Sequence, residues 1–355
     1  MNFAPKGKPN PVCEPGDFVF AATALDHGHI NGQCNGLEEA GGTLRWVYDP
    51  DPAKVEAFRK QRPHAKVARS LDEILEDPDV RLVAAAAIPA DRGPLGVRCL
   101  QAGKDYFTDK TPFTSLDQLA EARRVTEQTG RKYMVYYSER LHVECAVFAG
   151  DLIQEGVIGR VIQVLGLGPH RLSASTRPDW FFRKAQYGGI LTDIGSHQIE
   201  QFLFYSGAKD ATVTSARVAN FHHPDYPELE DYGEATLVAE NGASNFYRVD
   251  WFTPDGLRTW GDGRTLILGT AGYIELRKYI DAGNPERINN VIILVNGDGE
   301  QRLEVAGQVG YPFFGQLILD VLHRTENAMT QQHAFKAAEL CLQCQAVAEK
   351  NPMPA

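Results

Sequence analysis

Cysteine is scarce in this chain, with six residues spread over 355. That is too few for a disulfide scaffold and unnecessary for a core of this size, so a reducing, cytoplasmic setting is expected. Cys341 and Cys344 form a CxxC, but they fall in the strongly helical HAFKAAELCLQCQAVAEK with no second ligand pair nearby, and read as two small helix residues. No uninterrupted apolar stretch approaches the roughly 20 residues needed to span a bilayer. The first sixteen residues, rich in proline and polar side chains, lack the apolar centre of a signal peptide. Positive charge is also in deficit: 36 Lys and Arg face 46 Asp and Glu, a formal net charge of −10 that disfavours nucleic acid and anionic lipid as partners. Internal repeats, low-complexity runs and a complete GxGxxG are missing too.

What is present is an ordinary globular composition, 43% hydrophobic and 23% charged, in a chain long enough for two domains. Phe18 to Leu25 (FVFAATAL) is an apolar run without alternation, as in a strand covered on both faces of a parallel sheet. A polar loop follows, then a helix over Ile30 to Ala40 ending at Gly41-Gly42, then a strand over Thr43 to Tyr48. Asp51 caps a helix with proline at its first position, and Ser70 caps another, with Glu73 three residues on. Strands at Val80 to Ala87, Asp105 to Thr108 and Lys132 to Tyr137 alternate with helices at Arg92 to Ala102 and Leu116 to Thr129. This rhythm predicts a Rossmann-type, doubly wound parallel sheet.

After about residue 140 the pattern changes. Helices are expected at Val143 to Glu155 and Leu191 to Tyr205. Between them lie a strand near Val161 to Leu167 and a long irregular loop. Six extended segments between Ala211 and Val295 predict a large, predominantly antiparallel sheet in an α+β domain, and helices near Phe314 to Arg324 and Gln331 to Glu349 close the chain. The reading is therefore α/β, with an N-terminal extension and dinucleotide-binding domain over 1–140 and a substrate-binding and oligomerisation domain over 141–355.

A dinucleotide site needs a tight turn after the first strand, so that pyrophosphate can rest on helix N-terminal amides. The corresponding loop is Ala24-Leu25-Asp26-His27-Gly28-His29, leading into Ile30. It starts 25 residues before Asp49, about the interval for a carboxylate that accepts from ribose hydroxyls. Asp49 would repel a 2′-phosphate, which favours NAD over NADP. Asp26 places a carboxylate near the expected pyrophosphate and calls for a compensating cation. Ile88 and Pro89 form the turn after a further strand. His27 and His29 lack an identifiable third ligand, so no metal is expected.

Two motifs carry chemistry. In Thr108-Asp109-Lys110-Thr111-Pro112 a strand ends in a carboxylate and a lysine at the sheet edge where ligands collect. In Gly188-Gly189-Ile190-Leu191-Thr192-Asp193-Ile194-Gly195-Ser196-His197, Asp193 and His197 are four apart and share one helix face. A histidine titrates near neutrality and an adjacent carboxylate can orient it. Before the second motif, the stretch holding His170, Arg171, Arg177 and Trp180, with Tyr187 close behind, mixes rings with charged forks, a balance that suits a sugar or polyol. Trp251, Trp260, His222 and His223 read as structural.

Together these motifs resemble the glucose-fructose oxidoreductase / inositol dehydrogenase / MocA family. The first is similar to its Glu-Lys-Pro, with Asp109 for the glutamate, Thr111 for the proline and Pro112 one place later. The second resembles its glycine pair followed by DxGxHxxD, with Glu200 at the last place. The resemblance implies an NAD(P)-dependent dehydrogenase in which Lys110, Asp193 and His197 are catalytic. Ala24, Asp26, His27, Gly28, His29, Ile30, Asp49, Ile88, Pro89, Asp109 and Lys110 would then line the cofactor. Lys110 and His197, far apart in sequence, would have to act beside one coenzyme. The implied substrate is a small polyhydroxylated molecule and the implied assembly a homodimer or homotetramer. Two other functions stay open: a glycoside-cleaving enzyme that uses tightly held NAD without net redox change, and a non-catalytic, dinucleotide-sensing regulator.

Overall fold

A computed structural model describes residues 3–286 and 288–350. The chain divides into two compact units: Pro9–Tyr136 with Tyr311–Phe335, and Tyr137–Gly310 with the stretches ending at Lys8 and starting at Lys336.

The first unit alternates β1 (Val19–Thr23), α1 (His29–Glu39), β2 (Thr43–Tyr48), α2 (Pro52–Gln61), β3 (Lys66–Val67), α3 (Leu71–Glu76), β4 (Val80–Ala85), α4 (Pro89–Gln101), β5 (Asp105–Asp109), α5 (Leu116–Thr129) and β6 (Tyr133–Tyr136). All strand pairs are parallel, in the order β3-β2-β1-β4-β5-β6. This is the doubly wound arrangement in which ligands collect where the strand order reverses, at the carboxyl ends of β1 and β4. Strands β1, β5 and β6 are buried at every residue; β1 (VFAAT) and β6 (YMVY) accordingly show no polar alternation, whereas β5 (DYFTD) buries a carboxylate at each end.

Two helix starts follow the expected caps: Asp51 accepts from Ala53 N at 2.9 Å and Ser70 from Glu73 N at 3.2 Å. Ser115, not singled out in the sequence, caps α5 in the same way, accepting from Gln118 N at 3.3 Å. The Glu73 carboxylate reaches back to Arg69 N, one residue before the cap. β3 escaped the sequence reading because it is two exposed residues with no apolar signal. The late segment Tyr311–Phe335, expected to belong with the second half, belongs to this unit. A Cβ on Gly36 would lie 2.3 Å from the Phe314 ring, so glycine is what lets α1 approach that segment.

The second unit contains α6 (Ser138–Leu141), α7 (Glu144–Gln154), β7 (Val161–Pro169), α8 (Lys184–Tyr187), α9 (Ile190–Asp193) and α10 (Gly195–Ser206). β8 (Ala211–Ala219), β9 (Tyr232–Ala239), β10 (Ser244–Asp250), β11 (Arg264–Gly269), β12 (Gly272–Arg277), β13 (Val291–Asn296) and β14 (Gly299–Glu304) follow. α11 (Pro312–His323) and α12 (Gln331–Lys350) come last in sequence. Eight strands form one sheet in the order β14-β13-β12-β11-β7-β10-β9-β8, antiparallel except where β7 meets β10. Alternation along β9 and β11 buries one face, and α7 and α10 contact the sheet. The single helix expected over Leu191 to Tyr205 is two, α9 and α10, joined through Ile194, whose backbone is itself helical. β14 (GEQRLE) is a polar edge strand and therefore carried no hydrophobic signal. No described helix is long and apolar enough to cross a membrane.

Candidate active site

In the first unit, β5 delivers Asp109 fully buried and Lys110 directly after it. Asp109 gathers donors from three segments. Its Oδ1 accepts from Lys110 N at 2.8 Å and meets His29 Nδ1 at 2.8 Å. Its Oδ2 accepts from Arg92 Nη2 at 3.1 Å and faces His27 Nδ1 at 3.3 Å. Burial alone pushes the Asp109 carboxyl up, but His29 and Arg92 outweigh it and hold the carboxyl well below the usual range. His27 goes the other way: burial and the neighbouring His29 lower it against the pull of Asp109. A neutral ring agrees with its Nδ1 accepting from His29 N at 3.3 Å.

Arg92, which the sequence reading passed over, organises this corner. It is 1% exposed, its Nε donates to Ala87 O at 2.6 Å, and its Nη1 donates to the carbonyls of Lys110 and Thr111. The fork therefore fixes the backbone carbonyls of Lys110 and Thr111 as well as the carboxylate before them. The Lys110–Thr111 peptide bond is cis, at the place where Thr111 stands for the motif's proline. A buried arginine has no periodicity signature; its one sequence cue is a charge in the first turn after the Ile88-Pro89 turn, where Ile88 caps α4 and Pro89 opens it.

The β1–α1 loop keeps the geometry of a dinucleotide turn without its glycines. Ala24 has φ of 50°, the left-handed region that glycine ordinarily fills. The cation that Asp26 requires is Lys54, whose Nζ lies 2.6 Å from Asp26 Oδ1. His27 N bonds Ala86 O at 3.0 Å, and Ile30 is buried under the first turn of α1. A Cβ on Gly28 would meet nothing within 4 Å, so the outer side of the loop is open. Asp49 closes β2, its Oδ2 accepting from Leu25 N at 2.7 Å and its Oδ1 from Asp51 N at 2.9 Å. Each oxygen keeps a second lone pair for a ribose hydroxyl. Open space at Gly28, a neutralised Asp26 and the Asp49 acceptor fit a dinucleotide. His27, His29 and Asp109 also present ligand atoms within 4.8 Å of one another. Arg92 already bonds that carboxylate, however, and a dication there would face its guanidinium.

In the second unit the glycine pair has a steric cause. Gly188 and Gly189 adopt φ of 87° and 98°, and a Cβ on Gly189 would lie 2.3 Å from the Gln345 amide. Glu230 Oε2 accepts from Ile190 N at 2.8 Å and Gln345 Oε1 from Leu191 N at 3.3 Å, which satisfies the start of α9. Asp193 and His197 follow, both buried, one turn apart. Asp193 is the charge that opposes the burial-driven lowering of Arg177. Arg140 donates to Glu200 through Nε at 2.7 and 2.9 Å, and its guanidinium lies 3.8 Å from the Phe204 ring centroid. Glu139, also unforeseen, accepts from Lys278 Nζ at 2.9 Å and Gln198 Nε2 at 3.1 Å.

The expected substrate residues divide. His170 packs its ring 4.5 Å from Trp260 and 5.5 Å from Trp251, and the Arg177 guanidinium lies 4.6 Å from Phe181 and 5.3 Å from Trp251. Trp251 and Trp260, expected to be structural, thus join the aromatic cluster around His170 and Arg177. Trp180 packs beside Phe181 at 5.9 Å. Arg171 instead donates to the carbonyls of Pro254, Leu257 and Thr259, holding a loop. Tyr187 is buried, its hydroxyl bonded to Glu228 O and Glu230 N at 3.0 Å each, which ties down the segment before the glycine pair. Both are occupied by backbone, because a half-buried fork or hydroxyl beside unpaired carbonyls binds them first.

The chain is similar to known proteins. A model of an oxidoreductase family with an NAD-binding Rossmann fold matches residues 23–137, and one of a GFO/IDH/MocA C-terminal domain matches residues 148–275. The crystal structure of a provisionally assigned oxidoreductase from Erwinia carotovora atroseptica is 50% identical, with a TM-score of 0.91, over 95% of this chain and 100% of its own. D-xylose dehydrogenase of Paenarthrobacter nicotinovorans is 27% identical over 150 residues, 41% of this chain and 38% of its own. Scyllo-inositol 2-dehydrogenase (NADP(+)) of Bacillus subtilis (strain 168) is 25% identical over 194 residues, 54% of each chain. The chain thus spans about half, or less, of the length of these two curated relatives.

Proposed function

We propose that this chain, which belongs to the GFO/IDH/MocA family of oxidoreductases, transfers a hydride between NAD and a carbinol or carbonyl carbon of a sugar, an inositol or a similar polyhydroxylated small molecule. The observation that carries the reading is Lys110, placed at the end of a central parallel strand with its backbone clamped by Arg92 and Asp109. When bound, the coenzyme supplies the hydride acceptor or donor at C4 of its nicotinamide. Asp49, Lys54 and the open turn at Gly28 would hold its adenosine and pyrophosphate end. The Lys110 ammonium would stabilise the substrate oxygen as its charge changes during oxidation. His197 would take the hydroxyl proton in that direction and return it in the other, with Asp193 orienting the imidazole or a neighbouring hydroxyl. Rings around His170 and Arg177 suit the C–H faces and hydroxyls of a saccharide.

The test is a screen of sugars and polyols with NAD and NADP, following absorbance of the reduced nicotinamide. Stoichiometric NADH with at least one substrate is expected, and it would exclude cleavage without net redox change. Cofactor bound but never reduced by any member of the panel would overturn the reading.

The same proposal extends to assembly. Val238, Ser244, Gln163, Leu268 and Tyr273 form one cross-strand row on the sheet, and Val238, Leu268 and Tyr273 in it are exposed, as is Leu266. Apolar exposure of this kind marks a protein contact, and a homodimer or homotetramer through this face is the expected state. Light scattering that reports monomer alone would contradict it.

A further inference from the structure

One buried carboxylate in the second unit has no part in the chemistry above. Glu139 sits in α6, three residues beyond β6, and is 2% exposed. Lys278 and Gln198 both donate to its Oε2, while its Oε1 is buried, makes no hydrogen bond among the described residues, and faces His170 Nε2 at 4.0 Å. Gln198 is the residue after His197, so this bond anchors α10 to the carboxylate beside the proposed proton carrier. Lys278 is 1% exposed, and a fully desolvated ion pair of this kind adds little net stability over an apolar pair of the same shape. Its value must lie elsewhere.

Burial alone would push the Glu139 carboxyl up, but Lys278, then His197 and His170, outweigh it and hold the group far below its ordinary range. It is therefore an anion at any working pH. The other charges nearby are accounted for: Arg140 pairs with Glu200, and Arg177 has Asp193 as its electrostatic partner. The groups that face Glu139 are Lys278 just after β12, His170 just after β7, and His197 and Gln198 on α10.

We propose that Glu139 is a positioning residue for proton exchange at His197, a fixed anion that favours the imidazolium and that His170 shares as a second imidazole. The inference rests on the hydride-transfer reading. In oxidation the carbinol C–H bond breaks with its electron pair leaving as hydride for the nicotinamide, and the O–H bond breaks with its proton passing to His197. The cationic ring then stands beside a negative charge already in place, so no reorganisation is needed at the moment of transfer.

The experiment is the pH profile of kcat/KM for oxidation in Glu139→Gln, which keeps the shape and removes the charge. Without the anion His197 holds its proton less tightly, so the acid limb should move to lower pH by about one unit or more. Glu139→Asp, which restores the charge, should return it toward the wild-type position. A limb that stays in place in Glu139→Gln, or moves upward, overturns the proposal. Should that variant fail to fold, NMR titration of the His197 ring in cofactor-free wild type decides, with the resonance assigned by its loss in His197→Asn. The ring should titrate above the ordinary histidine value of about 6.5, and titration at or below that value overturns the proposal. This second readout needs no turnover, so a wild type that reduces no NAD would sink the hydride reading while the titration still judges Glu139.

Discussion

Lys110→Ala should lower kcat about 10²- to 10³-fold while leaving the Kd for NAD within a few-fold of wild type. The magnitude is that of removing one preorganised donor from the position where an oxygen gains charge. The group sits at the carboxyl edge of a parallel sheet, where its ammonium can meet a substrate oxygen, whereas the acceptors expected for the dinucleotide, at Asp49 and along the β1–α1 loop, lie on other strands. Fluorescence titration of NADH and steady-state kinetics on the best substrate of the screen separate the two effects. Turnover near wild type would remove Lys110 from the mechanism, and loss of NADH binding with unchanged kcat would make it a cofactor ligand only.

Arg92→Met should cost about 3–5 kcal/mol of unfolding free energy, the range for removing one partner of a buried charge pair. The fork is 1% exposed and serves Asp109, Ala87, Lys110 and Thr111 together, so its loss strands a buried carboxylate and three carbonyls. Asp109 has a depressed carboxyl, so its contribution is fully present above the unfolded value of 3.8 and is lost as pH falls through the lower folded value. The gap between wild type and variant should therefore hold steady from neutral pH to about pH 4 and narrow below it. Adding Asp109→Asn should recover part of the loss, since it removes the charge left without its partner. Urea unfolding of wild type, the two single variants and the double variant checks this, and a double variant destabilised by more than the sum of the two single losses would refute the pairing argument.

The relation between sequence and structure can be followed element by element. Val19–Thr23 was recognisable because a strand covered on both faces must be nearly apolar along its whole length. Ser70 and Asp51 announced their helices because a cap acts on amides two or three residues away.

The sequence by itself determined the parallel and antiparallel halves and the elements that carry the proposed site residues, because these depend on neighbours within a few residues. Tertiary structure alone decided that Arg92 clamps the carbonyls of Lys110 and Thr111, that Lys54 neutralises Asp26, that Tyr187 and Arg171 serve the backbone, and that Glu139 meets Lys278 across 139 positions of chain. A charge withdrawn from water must find its counter-charge wherever the fold brings one near, and no local pattern records that partner.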